Sequence, residues 1–304
     1  MRAGAIDDYE SNWMAEGGGS NLLIRRETSH EQIQFKHGDC ADRCGIPVIA
    51  TIVPKLTRLA TGQRRLWPEL RPGVELRLVL YGGTAISLHL GHRASIDFDF
   101  FCTRPLDKNA IRRAFPFMQG ATVLRDADDT LVVLVPVRGK NPVKVAFHGG
   151  QTYGRIGDPQ LTRDGVLEVA SLDDLMAHKL RAILARQKKK DYEDIAGMIR
   201  AGCPVSRGLA GARALFGKAF QPAAALKALV YFEGGDLAAL SAADRSTLIA
   251  AARTVGVLPT VKLRSSHTAS PRGQIVREIL LTTLRMMYVT MNVMKMMKKK
   301  CRSA

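Results

Sequence analysis

The chain has 304 residues, too many for one average domain and too few for three, and its hydrophobic fraction of 46% is that of an ordinary globular protein. Lys and Arg outnumber Asp and Glu 45 to 28, a formal charge of +17 that favours a nucleic-acid, nucleotide or acidic-membrane partner. Five irregularly spaced cysteines argue against a disulfide framework and for a reducing, cytoplasmic setting; no secretory signal opens the chain, and the longest late uncharged run, 286–294, is too short for a bilayer, so no membrane partner is expected.

Residues 1–53 read as a weakly structured extension broken by Gly17-Gly18-Gly19. His37, Cys40 and Cys44 lie close together there but lack the fourth ligand that zinc requires, so no metal is expected at them. A helical pattern over 54–70 stops at Arg71-Pro72-Gly73, and 74–81 alternates as a strand does. After a turn at Gly82-Gly83 come a short helix over 84–90 closed by Gly91, a strand over 96–101 and a helix over 107–117. Further strands are expected over 121–124, 131–137 and 143–148, followed by a loop to 165. Residues 54–165 thus predict a small mixed sheet with flanking helices.

Over 166–264 the pattern turns helical. Ser171-Leu-Asp-Asp174 reads as a capping box opening a long run, and helices follow over 191–201, 206–216, 222–231 and 242–254. The fold class expected is α/β (α+β), a mixed sheet followed by a helical bundle. Residues 265–304 form a basic, Met-rich tail, nine of the seventeen net positive charges lie in 261–304, and no function is assigned to the tail.

The chemistry concentrates in 81–101. A strand ends at Gly82-Gly83, whose missing side chains would let backbone N–H groups approach a ligand, and a helix begins at Thr84; helix N-termini favour phosphate. Ser95, Asp97 and Asp99 then recur at period two on one strand face, while Ile96, Phe98 and Phe100 point into a core. Adjacent carboxylates repel, and a divalent cation shared with phosphate oxygens would relieve that repulsion. A lone Asp-x-Asp usually marks only a solvated face; the order of strand, glycines, helix and acidic pair is what points to a site.

A second cluster lies further on. On a helix continuous through 172–194, Lys179, Arg186 and Lys190 share one stripe beside an apolar face made by Met176, Leu180, Ile183, Leu184 and Met198. Cations there suit a triphosphate or a departing pyrophosphate. Asp191 falls near the apolar face and needs a Lys, Arg or metal partner. Lys188 and Lys189 are expected in solvent. His89 and His92 are expected to pack or cap, and no Ser-His-Asp order, Walker loop or HExxH is present.

Tyr81-Gly-Gly-Thr-Ala, followed by Leu90-Gly-His-Arg-Ala-Ser-Ile-Asp-Phe-Asp-Phe-Phe101, resembles the AbiEii/AbiGii family of nucleotidyltransferase toxins in the polymerase-beta-like superfamily. Lys179-Leu-Arg-Ala-Ile-Leu-Ala-Arg-Gln-Lys-Lys-Lys-Asp191-Tyr-Glu-Asp194-Ile is similar to that family's second motif, and the likeness runs over about 54–263. The resemblance implies transfer of a nucleoside monophosphate from a nucleoside triphosphate to a hydroxyl on a tRNA end or a protein, with a cognate antitoxin as partner. It implies Mg2+ (or Mn2+) on Asp97 and Asp99. Gly82, Gly83, Thr84, Arg93, Ser95, Lys144 and Arg186 would contact the nucleotide, and Lys179, Asp191 and Asp194 would join the acidic pair in catalysis. Arg93 is also expected to pair with Asp97 or Asp99, or with phosphate. One departure stands out: Ala146 takes the place where the superfamily commonly has a third carboxylate, with Lys144 and His148 on the same strand face. The alternative is therefore a catalytically inactive nucleotide- or RNA-binding protein that keeps the fold.

Overall fold

The computed structural model describes residues 50–268, and the expectations for 1–49 and 269–304, the His37, Cys40, Cys44 cluster among them, lie outside the described residues. In chain order the elements are β1 (Thr51–Ile52), α1 (Thr61–Leu66), α2 (Pro72–Glu75), β2 (Val79–Tyr81), α3 (Gly82–Leu90), β3 (Asp97–Phe101), α4 (Lys108–Ala114), β4 (Thr122–Ala127), β5 (Thr130–Val137), β6 (Lys140–His148), β7 (Gln160–Thr162), β8 (Glu168–Val169), α5 (Leu172–Ala185), α6 (Lys189–Arg200), α7 (Val205–Phe216), α8 (Pro222–Leu229) and α9 (Ala242–Arg253). Among the described residues no helix is long and apolar enough to cross a membrane.

The strands form one eight-stranded mixed sheet in the order β1-β7-β8-β2-β3-β6-β5-β4. β2 runs antiparallel to β3 and parallel to β8, and β3 runs parallel to β6. Period two along β3 sends Phe98 and Phe100 into the core, where Phe100 stacks on Phe147 at 5.6 Å and Phe115 packs on Phe147 at 5.4 Å between ring centroids. Asp97 and Asp99 take the other face, towards the helical half. There α5 packs on α3, α6, α7 and α8, and α6 also reaches α3 and α9.

Several local expectations change in the folded chain. The run 54–70 is three short helical pieces, because Leu59 bridges to Ser95 and Pro68 withholds a donor. Residues 72–75 make a helical turn closed when Leu78 donates its N–H to Gly73 O at 2.8 Å, leaving only 79–81 as strand. That strand is buried on both faces, so its apolar run carries no alternation. Ile96 does not enter the core: it precedes β3 and is 65% exposed. Thr51 and Ile52, placed in the weakly structured extension, pair with β7, and both β7 and β8 lie in or beside a stretch read as loop. Residues 265–268, assigned to the tail, dock on the sheet half: Arg155 donates to His267 O at 2.7 Å, and Thr268 donates its N–H to Thr103 Oγ1 at 2.8 Å.

The helical half follows its caps. Ser171 starts α5 by accepting the Asp174 N–H at 3.1 Å, and the Asp174 carboxylate in turn accepts the N–H groups of Ile156 and Gly157 at 2.9 and 3.0 Å, tying the preceding loop to the helix. The helix expected through 172–194 is broken at 186–188, where Arg186 and Lys188 are extended. Asp236 causes the restart: its carboxylate accepts the Lys189 N–H at 2.5 Å and so caps α6, while Gly234 and Gly235 lie against Gln187 with no room for a β-carbon. The cationic stripe is therefore not continuous. Lys190 stands exposed on α6, and Leu184, expected on the apolar face, is 40% exposed.

Candidate active site

The site is built where α3 begins, above β3. Gly82 has φ +74°, and a β-carbon on it would lie 2.7 Å from Asp99 Oδ2. A β-carbon on Gly83 would lie 2.5 Å from Arg93 Nη2. The two glycines thus admit the Asp99 carboxylate and the Arg93 guanidinium to the helix start, a closer reason for their presence than ligand access alone. Gly82→Ala is expected to cost about 1 kcal/mol or more from the positive φ, and to displace Asp99; a lower urea midpoint together with loss of activity checks this.

Thr84 is buried, and its hydroxyl donates closely to the Asp97 carbonyl and hydrogen-bonds with the Ser95 hydroxyl at 2.9 Å. It joins α3 to β3, which leaves its backbone N–H, not its side chain, for a phosphate. Ser95 serves the same junction.

Asp97 and Asp99 lie side by side with the parallel strand β6, where Lys144 is the register partner of Asp97 and Ala146 that of Asp99. Lys144 Nζ is 3.0 Å from Asp97 Oδ2. Ala146, 3% exposed, leaves no third carboxylate beside the pair, and His148 follows on the same face. Burial, reinforced by the neighbouring Asp97 charge, raises the Asp99 pKa, against the pull of Lys144, His148 and Lys179. Burial likewise lowers the His148 pKa, so its imidazole is neutral at pH 7.

The helical half supplies a second polar layer. Lys179, 8% exposed at its side chain, sits between two fully buried carboxylates, 2.6 Å from Asp191 Oδ1 and 2.7 Å from Asp194 Oδ2. Arg186 donates to both oxygens of Asp191, at 2.7 and 3.1 Å. Arg93 grips Asp194 through two bonds of 2.7 and 2.8 Å, and His92 Nε2 lies 2.7 Å from the same carboxylate. Burial alone would raise both acids. The Arg186 and Lys179 contacts overcome it at Asp191, and His92, Lys179 and Arg93 hold Asp194 well below the usual carboxylate range.

The partner demanded for Asp191 is therefore present twice over. Arg93, expected on Asp97, Asp99 or phosphate, is instead committed to Asp194 and fastens the end of α3 to α6. His92, expected to pack or cap, joins the carboxylate network through Asp194, with Gly197 making room for its ring, and His89 Nε2 lies 2.9 Å from Ala170 O.

A cavity of about 340 Å3 opens between the two layers, lined by Gly82, Asp99, Lys179 and Arg186 and by Tyr81, Phe101, Leu175 and His178. His178 escaped the sequence reading. Its signal was its place one turn after Leu175 and directly before Lys179, on a face that the helix turns inward.

The charges decide what this site can hold. Lys144, Lys179, Arg93 and Arg186 are balanced one for one by Asp97, Asp99, Asp191 and Asp194. A triphosphate brings several further negative charges into a site with no cationic surplus. Among the described residues no group of three or more His, Cys, Asp or Glu could cage a metal. Two carboxylates completed by phosphate oxygens and water match the habit of Mg2+, and the Asp99 pKa, raised first by burial and then by the Asp97 charge, marks a carboxylate that such a cation would stabilise in its ionised form. The residues present fit one cation held jointly by Asp97, Asp99 and a polyphosphate.

The family model described as a nucleotidyl transferase AbiEii toxin of a type IV toxin–antitoxin system matches residues 66–251. An uncharacterized protein of Aquifex aeolicus (strain VF5) is 32% identical over 123 residues, which are 40% of this chain and 57% of that protein. The chain thus spans little more than half the length of the curated relative it matches.

Proposed function

The chain belongs to the AbiEii family of nucleotidyl transferase toxins of type IV toxin–antitoxin systems, and from that membership we propose that it transfers a nucleoside monophosphate from a nucleoside triphosphate to an acceptor hydroxyl, on a tRNA end or a protein, releasing pyrophosphate. The observation that carries this reading is the convergence of Gly82 at the start of α3, Asp99 and the Lys179–Arg186 pair on one cavity. A cognate antitoxin is the counterpart expected in the cell.

Asp97 and Asp99 would hold Mg2+, which when bound neutralises the triphosphate and draws charge from the phosphorus under attack. The backbone N–H groups at the start of α3 would donate to phosphate oxygens. Lys179 is positioned by two carboxylates, so its ammonium reaches the cavity wall without having to be ordered when substrate arrives, and Arg186, half-exposed, offers its guanidinium to the departing pyrophosphate. With Ala146 beside Asp99, the neutral His148 is the side chain on that face able to take the acceptor's proton.

The test is label transfer from each of the four α-labelled triphosphates into total tRNA and total protein, with Mg2+ or Mn2+, for the parent chain and for Asp97→Ala/Asp99→Ala. Incorporation by the parent, reduced at least about a hundredfold in the double variant, is expected. Ala146 favours one rival, a nucleotide- or RNA-binding protein without turnover. Triphosphate binding with no incorporation by the parent would establish it.

A further inference from the structure

On the reading that the site binds a nucleoside triphosphate, we propose that the aromatic side of the cavity, with His178 at its centre, is a stacking platform for the nucleotide base. The cavity wall is of two chemical kinds: Gly82, Asp99, Lys179 and Arg186 on the one hand, and Tyr81, Phe101, Leu175 and His178, which offer ring and apolar surface, on the other. Its volume of about 340 Å3 lies at the small end of the roughly 300–1,000 Å3 range of ligand clefts, enough for one flat ring system and its sugar but not for a folded macromolecular segment.

The His178 imidazole is held by rings on several sides, with centroids 5.0 Å from Tyr81, 4.9 Å from Tyr153, 5.2 Å from Phe216 and 6.2 Å from Phe101. The Tyr153 and Phe216 rings meet it edge-on at 69° and 78°, which fixes the imidazole plane. Its Nε2 is buried and has no hydrogen-bond partner among the described residues. Burial brings its pKa down to about 3, and the ring meets any ligand as an uncharged π surface. Contact through a ring rather than through donors and acceptors tolerates any base, because every base has a π face. The platform thus supplies affinity for the nucleoside without selecting strongly among the four.

The test compares the full chain with His178→Leu and His178→Phe, both of which fill the volume and spare the fold. Dissociation constants with Mg2+ are measured for the four nucleoside triphosphates and for inorganic tripolyphosphate. Expected results are a loss of about tenfold or more for all four nucleotides in His178→Leu, recovery of most of that loss in His178→Phe, and one tripolyphosphate affinity across the three proteins. The parent should also quench a 2-aminopurine riboside triphosphate several-fold on binding, a readout that needs no variant. Equal nucleotide affinities for Leu and Phe, a parallel loss of tripolyphosphate binding, or unquenched bound probe would each overturn the platform and leave the transferase reading standing. A parent chain that binds no nucleoside triphosphate would overturn both.

Discussion

Asp99→Asn is expected to lower nucleotidyl transfer by at least about a hundredfold while raising the melting temperature at neutral pH. The two effects share one cause. Asp99 is pressed between Gly82 and the sheet and lies beside Asp97, so burial first and like charge second raise its pKa. For an acid whose pKa is raised on folding, the native state binds the proton more tightly than the unfolded chain. Stability therefore falls as pH rises from the ordinary carboxylate value through the folded one, and at neutral pH the whole penalty is in force. Asparagine keeps the shape and removes the charge, so it relieves the penalty and loses the cation-binding oxygens together. Calorimetric melts from pH 5 to 8 alongside label transfer check both halves. An active variant, or one that melts lower at every pH, would rule out Asp99 as the buried cation-binding carboxylate.

Asp194→Ala is expected to destabilise the chain by about 3–5 kcal/mol, the largest single-residue effect foreseen. Its carboxylate is fully buried and takes contacts from Lys179, Arg93 and His92, which come from α5 and from the segment between α3 and β3. Removing it leaves cations facing a low-dielectric interior with Asp191 alone to compensate Lys179. The pH dependence runs opposite to that of Asp99. Asp191 and Asp194 are held below their ordinary pKa, so the stability they confer is present above the unfolded value and is lost as pH falls through the folded ones. Urea midpoints at pH 7 and pH 2.5 should differ clearly in the parent and much less in Asp194→Asn. Equal slopes in both proteins would mean that the network does not carry the acid limb.

Much of the site was legible in the chain because it rests on short-range rules. Period two on a strand separates Asp97 and Asp99 from Phe98 and Phe100 wherever the strand lies, and Gly91 at φ +68° closes α3 as a left-handed cap does in any helix. The need of Asp191 for a cation followed from the cost of burying a carboxylate, before either partner was known. The family resemblance put Ala146 where a third carboxylate would stand, and the register with Asp99 agrees. Ile96 marks the edge of such rules: period two sends it inward only if the strand has already begun there.

Sequence alone determined which residues of β3 share a face, where α5 starts and α3 stops, and that two acidic residues and a lysine-bearing helix belong to one family's pattern. Tertiary structure decided who meets whom. Arg93 reaches Asp194 across 101 positions of chain, Asp236 ends the long helix by capping α6 from 47 residues away, and His178 becomes a cavity wall only because Tyr81, Tyr153 and Phe216 close around it. Local patterns report on neighbours within a turn or two, where geometry is set by the backbone. Pairings between distant segments depend on how the sheet and the helices pack, and no local period encodes that.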